Sequence, residues 1–272
     1  MSPTLLQDDI GAMLTGVFAE TDAPIYVVNP PRETLSTLMS TLEGESTTPE
    51  VRVLADEDAL KSIMDDFIVA STAADLVEAG DLSIRLLDSV PNHAVAVTED
   101  DVYALVTIGD NVGALGTDDG EFVGDARGYY ERTWDDAETY SLRTPAISRV
   151  RSTLQAEIGD ETAADFDSVL GSLSTARGDG DGLDEVTISL LVAARNNELL
   201  YDISKWGEDV GLASKATFSR TKTKLEDMGL IDTEKVPIDV GRPRLRLMLG
   251  DERLNDADSD ELATVAQSLL AA

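Results

Sequence analysis

The residues of this chain whose types best suit binding of an anion lie between residues 212 and 246. This segment holds eight of the chain's 21 lysines and arginines but five of its 53 acids, a net charge of +3. The other 13 cations and 48 acids give the rest of the chain a net charge of −35. The simplest reason for a basic segment in so acidic a chain is an anionic partner. The alternative is a segment used only for contacts with other proteins.

Within this segment, residues 214–228 have the spacing of a helix with one buried face. The face predicted to be buried holds Phe218, Thr221, Leu225 and Met228. A turn of 100° per residue puts small and hydrogen-bonding side chains opposite, with lysines at the flanks. Such a face suits a major groove, where central side chains reach base edges and flanking cations meet phosphates. The predicted DNA-binding residues of this helix are Ser214, Lys215, Ala216, Ser219, Arg220, Lys222, Thr223 and Lys224.

The neighbouring segments are those needed to hold that helix against DNA. A first helix is predicted at 201–210, and Gly211 after it supplies the positive φ that a helix end often requires. Residues 230–247 alternate as a β-hairpin with a basic second strand, on which Arg242 and Arg244 are further predicted DNA contacts. Helix, turn, helix and hairpin in this order predict a winged helix-turn-helix domain.

The N-terminal half alternates between strand and helix patterns, which indicates parallel strands covered by helices. The predicted strands are at 23–29, 51–54 and 84–87, with helices at 3–20, 32–42 and 56–79. From residue 93 the pattern changes to a hairpin with its turn at 99–101. Weaker strands are predicted at 113–115 and 121–123, before a helix at 128–140 that closes the domain.

The segment between this domain and the winged domain is predicted to be helical. Thr144 and Pro145 begin a helix to 158, and further helices are expected at 162–176, 185–200 and 258–272, the last with an Asp258–Glu261 capping box. The predicted fold is therefore an α/β N-terminal domain, a helical connector and a winged helix-turn-helix domain of α+β type. The expected boundaries are 1–143 for the α/β domain, 144–182 for the connector and its flexible linker, 183–250 for the winged domain and 256–272 for a C-terminal helix.

Composition limits where this chain works. It contains no cysteine, which excludes disulfides and thiolate metal sites. No apolar run approaches the roughly 20 residues of a membrane span, and the first ten residues lack the positive region of a signal peptide. These features predict a cytoplasmic protein with no membrane partner.

The net charge of −32 is too large for an ordinary mesophilic protein, while 42% hydrophobic residues exclude a disordered acidic tail. There are six lysines against fifteen arginines. At molar salt the screening length falls to about 3 Å, so such a surface no longer repels itself strongly. The charge therefore predicts an extreme halophile, most simply an archaeon. The alternative is an acidic interaction protein from a mesophile.

No residue pattern indicates catalysis. His93 begins a predicted strand, where phospholipase-D-like enzymes have the histidine of an H-x-K motif, but Val95 occupies the lysine position. His93 is therefore expected to be structural or to contact a ligand. Residues 109–124 contain glycines but neither G-x-G-x-x-G after a strand nor a Walker lysine, so a loop is predicted. Adjacent acids such as Asp65 and Asp66 are expected at a solvated surface, and the chain is predicted to have no catalytic residue, metal or cofactor.

Four stretches of the chain resemble the haloarchaeal transcriptional regulators called TbsP, and the resemblance extends over nearly the full length. They are SKATFSRTKTKLEDMGLI, IDVGRPRLRL, MSPTLLQDDI and APIYVVNPPRETL. The resemblance implies DNA binding and control of central carbon metabolism, alongside a sugar-responsive regulator of the TrmB type. It also implies an N-terminal domain similar to the degenerate phospholipase-D-like sensor domains of TrmB proteins, with a sugar or sugar phosphate as effector. The valine after His93 fits that degeneracy.

Two functional hypotheses follow. In the first, a homodimer formed through helices around 145–176 and 258–272 binds a palindromic promoter site as an effector-modulated transcription factor. In the second, the protein is a non-enzymatic scaffold or co-regulator that recruits other factors and binds DNA only weakly. The sequence leaves open the operator, the effector, and the choice between activation and repression.

Overall fold

The computed structural model describes residues 4–7, 9–44, 49–108, 111–178, 182–237 and 243–271. The chain forms two compact units, one of Met1–Asp65 with Thr72–Leu142 and one of Asp66–Ser71 with Arg143–Ala272. Up to residue 136 the elements are β1 (Thr4–Gln7), α1 (Ile10–Phe18), β2 (Ile25–Val28), α2 (Arg32–Gly44), β3 (Val51–Ala55), α3 (Glu57–Met64), α4 (Phe67–Ala79), β4 (Leu82–Leu86), β5 (Val95–Val97), β6 (Val102–Ile108), β7 (Asn111–Thr117) and α5 (Gly120–Asp136).

The first unit is built on a seven-stranded mixed sheet in the order β1-β7-β6-β5-β2-β3-β4. Strands β2, β3 and β4 are parallel, with Val27 opposite Val53 and Val53 opposite Ile84. All three side chains are buried, as expected for a parallel sheet covered by helices. The predicted α/β fold is therefore confirmed. The hairpin predicted from residue 93 is β5 and β6, and it joins β2 in antiparallel fashion.

One face of this sheet packs against α5. Tyr26 and Val28 point to that face and share a buried cluster with Val123, Tyr130 and Trp134 of the helix. The Tyr26 and Trp134 rings meet edge to face, with centroids 6.1 Å apart. Because side chains alternate along a strand, the buried Val27, between Tyr26 and Val28 in β2, faces the opposite side of the sheet.

Three local predictions in this unit are wrong. The helix predicted at 3–20 begins only at Ile10, capped by Asp9, because Thr4–Gln7 pairs with β7 at the edge of the sheet. The segment 121–123 is not a strand but the first turn of α5, where the Asp119 carboxylate accepts a hydrogen bond from the Phe122 amide. The loop predicted over 109–124 is β7 followed by that helix, in the part of it that the structure describes.

The helix predicted over 56–79 is two helices, α3 and α4, and Asp66 lies between them. Its carboxylate accepts a hydrogen bond from the Ile68 amide, which caps α4. It also accepts bonds from the Thr175 hydroxyl and the Ala176 amide, and lies 3.4 Å from the Arg177 guanidinium. Asp66 is 3% exposed, so the prediction of a solvated surface acid is wrong at this position.

The second unit is helical with one small sheet. Its further elements are α6 (Ile147–Glu157), α7 (Asp160–Ser172), α8 (Glu185–Arg195), α9 (Leu200–Val210), α10 (Lys215–Asp227), β8 (Ile231–Val236), β9 (Arg244–Leu249), α11 (Glu252–Asp256) and α12 (Leu262–Leu270). Helix α8 is the centre of the core, since every residue from 186 to 194 is buried. Trp206 of α9 is also buried and donates a hydrogen bond from Nε1 to the Thr153 hydroxyl at 3.0 Å.

The ends of several helices differ from the predictions. Helix α8 ends at Arg195 rather than residue 200, and Asn197 after it has a φ of +57°. Thr144 does not cap α6, whose N-cap is Ala146 without a side-chain bond. The Asp258–Glu261 capping box is also absent from α12, which has Glu261 as an N-cap without a side-chain bond. None of the helices in the described ranges has the length and apolar character of a bilayer-spanning segment.

Candidate nucleic-acid interface

Helices α9 and α10 cross in close contact, because the residue at the crossing point is Gly207. A Cβ atom built on Gly207 would lie 2.3 Å from ring carbons of Phe218, which is fully buried. Gly211 ends α9 with a φ of +95°, in the left-handed region that favours glycine. Ser214 then caps α10 by accepting a hydrogen bond from the Thr217 amide. The predicted two-helix motif is therefore present, with Phe218 as the contact between its helices.

The outer face of α10 is the one predicted from its periodicity. Phe218 and Leu225 are buried, while the N-cap and most residues of the opposite side are solvent-exposed. The exposed residues predicted to bind DNA are Ser214, Lys215, Ala216, Ser219, Arg220, Thr223 and Lys224. Met228 differs from the prediction: it was expected on the buried stripe but is 41% exposed, because the helix ends at Asp227. Small and polar side chains therefore occupy the centre of an accessible helical face.

Two of the lysines predicted to bind DNA are held by acids of the same unit. Lys215 Nζ lies 2.6 Å from the Glu208 carboxylate. This hydrogen bond raises the pKa of Lys215 and lowers the pKa of Glu208. Lys222 pairs with Glu226, and only 11% of its side chain is exposed. Lys222 is therefore less accessible than the helical projection indicated.

Three cations of this domain make no ion pair among the residues that the structure describes: Arg220, Lys224 and Lys235. Arg220 makes one side-chain hydrogen bond, from Nη2 to the Thr217 hydroxyl at 3.3 Å, and stays exposed. Lys224 follows it by one helical turn, and Lys235 is exposed on β8. These positive charges can meet a phosphate without giving up an ion pair to any described residue.

The wing is the antiparallel pair β8 and β9, with Glu234 opposite Arg246. Leu199 adds a bridge to Arg246 on the other side, so β9 has neighbours on both edges. Both described wing arginines are paired: Arg244 with Asp202 at 3.2 Å, and Arg246 with Glu234 at 3.5 Å. Arg244 also lies over the Tyr201 ring, 4.2 Å from its centroid. Arg242, the other predicted wing contact, lies outside the described residues.

Outside the winged domain, the lone histidine is in a structured setting. His93 Nε2 lies 3.0 Å from the Tyr130 hydroxyl, at the edge of a cleft between α5 and the sheet. Burial raises the pKa of Tyr130. Within the described ranges, no group of three or more His, Asp or Glu side chains is arranged to hold a metal ion.

Two family profiles together span almost the whole chain. The profile "Transcriptional regulator TbsP-like, N-terminal" matches residues 2–145, and "Transcriptional regulator TbsP-like, C-terminal HTH domain" matches residues 146–267. The chain belongs to the TbsP-like family of transcriptional regulators. The predicted family is therefore confirmed, and the segment that contains α9, α10 and the wing is a helix-turn-helix DNA-binding domain. A haloarchaeal origin stays a prediction.

The TbsP-like chain is also similar to two solved structures. One is TrmBL2, an archaeal chromatin protein whose structure shows a novel mode of DNA binding; it is 13% identical, with a TM-score of 0.35 over 50% of this chain and 54% of that one. The present chain thus spans about half the length of that protein. The other is NucT from Helicobacter pylori, 15% identical, with a TM-score of 0.36 over 52% of this chain and 99% of that one. No curated protein matches.

Sequence reasoning about this TbsP-like domain missed two features of the interface. Lys235, one of the eight cations of the segment 212–246, is exposed on β8 but is not among the predicted contacts. Tyr201 and Asp202 were treated as ordinary residues of the first helix, yet they hold Arg244. Their distance of more than forty residues from that arginine gives the sequence no local signal of the contact.

Proposed function

We propose that this TbsP-like chain is a sequence-specific regulator of central carbon metabolism genes that binds promoter DNA through α10. The observation that carries the proposal is the exposed helical face of Ala216, Ser219, Arg220 and Thr223. It combines small side chains at its centre with the unpaired Arg220 and Lys224. A major groove admits such a helix, and an arginine at its centre can donate two hydrogen bonds to a guanine.

The proposed regulator acts in the cytoplasm as a homodimer on a two-fold symmetric operator, without catalytic chemistry. Half-site spacing in such operators follows the symmetry of the protein. The family resemblance implies that a sugar or sugar phosphate modulates binding through the N-terminal unit. Calorimetric titration of the full chain with glucose, fructose and their phosphates tests effector binding separately from DNA binding.

The test of the main proposal is a genome-wide map of occupied sites with and without a sugar carbon source. A chain carrying Arg220→Ala, expressed at the same level, is the matched control. We expect sites upstream of genes for sugar breakdown and synthesis, lost in the Arg220→Ala strain. Occupancy that is spread evenly over the genome, or that is unchanged by the substitution, would contradict sequence-specific regulation by α10.

A second candidate is a scaffold or co-regulator that touches DNA only weakly. It is favoured by the pairing of Lys215, Lys222, Arg244 and Arg246 with acids of the same unit. In the described part of the winged domain this leaves three cations without an ion pair, while the chain as a whole has a net charge of −32. Footprinting at molar KCl separates the two candidates. Protection of a defined promoter segment by the purified chain supports the regulator, whereas protection only with a second protein supports the scaffold.

A further inference from the structure

The first unit contains a cleft of about 600 Å³ between α5 and strands β5, β6 and β7. Its floor follows the register of the sheet: Val95, Ala104 and Leu115 form one row, and Val102 lies opposite Thr117 in the next. Residues of one row point to the same face. Because Ala104 and Thr117 are small, the sheet leaves room beneath the helix. The volume lies within the range of small-molecule sites.

The wall of the cleft is the N-terminal half of α5. Phe122, Asp125, Ala126 and Tyr129 lie at i, i+3, i+4 and i+7, on one face of the helix, and all four line the cleft. Farther along the helix, Tyr130 and Trp134 are buried against the sheet. Val123, in the first turn, is buried in the same cluster, so the helix contacts the sheet near both ends while its face from Phe122 to Tyr129 borders the cleft.

Exposed apolar side chains are concentrated at the cleft. Leu115, Phe122 and Tyr129 are 50%, 55% and 58% exposed, and all three converge on it. Across the described ranges only four other large apolar side chains are that accessible or nearly so, and none of them lines the cleft. Clustered exposed apolar side chains around a concavity mark a binding site rather than ordinary surface.

The polar groups of the cleft limit the ligand by charge. The His93–Tyr130 pair offers a hydrogen-bonding group, and Asp125 offers an exposed carboxylate with no ion pair among the described residues. Among the described residues that line the cleft there is no lysine or arginine. A phosphate or carboxylate would therefore meet the charge of Asp125 without a lysine or arginine of the described lining to balance it. A cation would find a partner in Asp125.

We propose that this cleft binds a small aromatic molecule that carries a protonated amine and no phosphate or carboxylate. The aromatic ring lies between Leu115, Phe122 and Tyr129, and the amine faces Asp125. This site goes beyond the proposed function, since it does not depend on DNA binding by α10 and differs in chemistry from a sugar-phosphate site.

The test uses the full chain at the lowest KCl concentration at which circular dichroism shows the native fold. The probes are tryptamine, indole and indole-3-acetate, which share a ring and differ in charge, and binding is measured by equilibrium dialysis. We expect tryptamine to bind most tightly, indole less tightly and indole-3-acetate least. Absence of tryptamine and indole binding, or tightest binding of indole-3-acetate, overturns the proposal.

Two variants locate the binding in the cleft. Phe122→Ala should weaken both tryptamine and indole about tenfold, because it removes apolar contact area. Val90→Ala, an exposed apolar position outside the cleft, is its control. Asp125→Asn should weaken tryptamine about threefold to tenfold and leave indole unchanged, whereas Asp136→Asn on the same helix should change neither. All four positions are exposed, so the variants are expected to fold.

Parallel measurements distinguish a ligand site from a dimer interface, and test the cleft separately from DNA binding. If Phe122→Ala turns a dimer into a monomer in sedimentation and no probe binds the parent chain, the cleft is an interface between copies and the proposal is overturned. Probe binding unchanged by Phe122→Ala overturns it equally. DNA affinity is measured on the same samples and should stay the same in all four variants, so failure of the cleft and failure of the DNA-binding proposal give different results.

Discussion

At the scale of single residues, the winged domain divides its cations into free and paired groups. A lysine already held by a carboxylate must give up that contact before it meets a phosphate, so it adds less to DNA affinity than a free one. Exposed ion pairs of this kind contribute little to stability. These ion pairs therefore determine which cations can bind DNA phosphates. On α10, Lys215 and Lys222 are paired with carboxylates, whereas Arg220 and Lys224 have no ion pair among the described residues.

The first prediction concerns the cations of α10. Arg220→Ala should weaken the specific site by about 1–3 kcal/mol and change the preferred sequence, because a central arginine reads base edges. Lys224→Ala should weaken all DNA sequences about equally, as loss of a phosphate contact does. Lys222→Ala should have the smallest effect, since Lys222 is mostly covered and paired with Glu226. Fluorescence anisotropy with the operator and a scrambled duplex measures all three, and wild-type binding by Arg220→Ala would show that the assigned face is wrong.

The second prediction concerns the wing. Asp202→Asn removes the carboxylate that holds Arg244, whose cation is then available to the phosphates. DNA affinity should rise, and the slope of log K against log salt should steepen by up to about 0.9. Asp256→Asn, which changes the net charge equally at an exposed position without a described ion pair, is the control. If the two substitutions raise DNA affinity equally, the increase comes from the change in net charge. Arg244 would then still lie against Tyr201 and not contact a phosphate.

At the scale of elements, the angle of the two-helix motif depends on one close approach. A methyl group at position 207 would overlap the ring of Phe218, which is fully buried. Overpacking of this kind costs about 1–3 kcal/mol. The crossing of α9 and α10 is thus fixed by the absence of a side chain as much as by the apolar residues around it.

The third prediction tests this crossing. Gly207→Ala should lower the free energy of unfolding by about 1–3 kcal/mol and weaken operator binding, because α10 shifts. Gly171→Ala is the matched control: that glycine also lies within a helix, and a Cβ there meets nothing within 4 Å, so the substitution should be neutral or stabilising. Adding Phe218→Leu to Gly207→Ala should cost less than the sum of the two changes. Denaturant unfolding of the three single variants and the double variant gives these free energies, and full additivity of Gly207→Ala and Phe218→Leu would argue against the proposed overlap.

The sequence predicts these elements well where the signals are local. Gly211 and Ser214 identify the end of one helix and the cap of the next, and the period of α10 identifies its outer face. The strand Thr4–Gln7 escapes prediction because its partner, β7, lies far along the chain and supplies the hydrogen bonds. The pair Arg244–Asp202 escapes for the same reason, since the two residues are 42 positions apart.

The fourth prediction concerns α12. The segment 258–272 is predicted to contact a second copy of the chain, yet Leu262, Ala263 and Ala266 of α12 are buried in the core of the second unit. Leu262→Ala should therefore lower the free energy of unfolding by about 2–5 kcal/mol, with Thr264→Ala, an exposed position of the same helix, as control. Thermal unfolding and sedimentation are measured together. If Leu262→Ala changes the association of the chains but not the free energy of unfolding, α12 would instead belong to the proposed dimer interface.

At the scale of the whole molecule, an acidic chain carries a small basic surface. The net charge of −32 repels DNA at long range when screening is weak, and it also destabilises the folded state. The attractive contacts act over a few ångströms and involve few free cations. Added salt shortens the range of repulsion before it removes contacts between touching groups.

The last prediction follows from this competition. In ordinary DNA-binding proteins log K falls by about 0.9 per phosphate contact for each unit of log salt. Here the loss of repulsion opposes that decline, so the slope should be shallower than the number of basic contacts implies and should reverse where repulsion dominates. Anisotropy gives binding and circular dichroism gives folding, each from about 0.2 to 3 M KCl, a range over which the screening length falls to a few ångströms. Because unfolding at low salt would imitate weak binding, only concentrations with an intact fold are compared. A steep, continuous loss of affinity across that range would show that the acidic surface does not act on DNA.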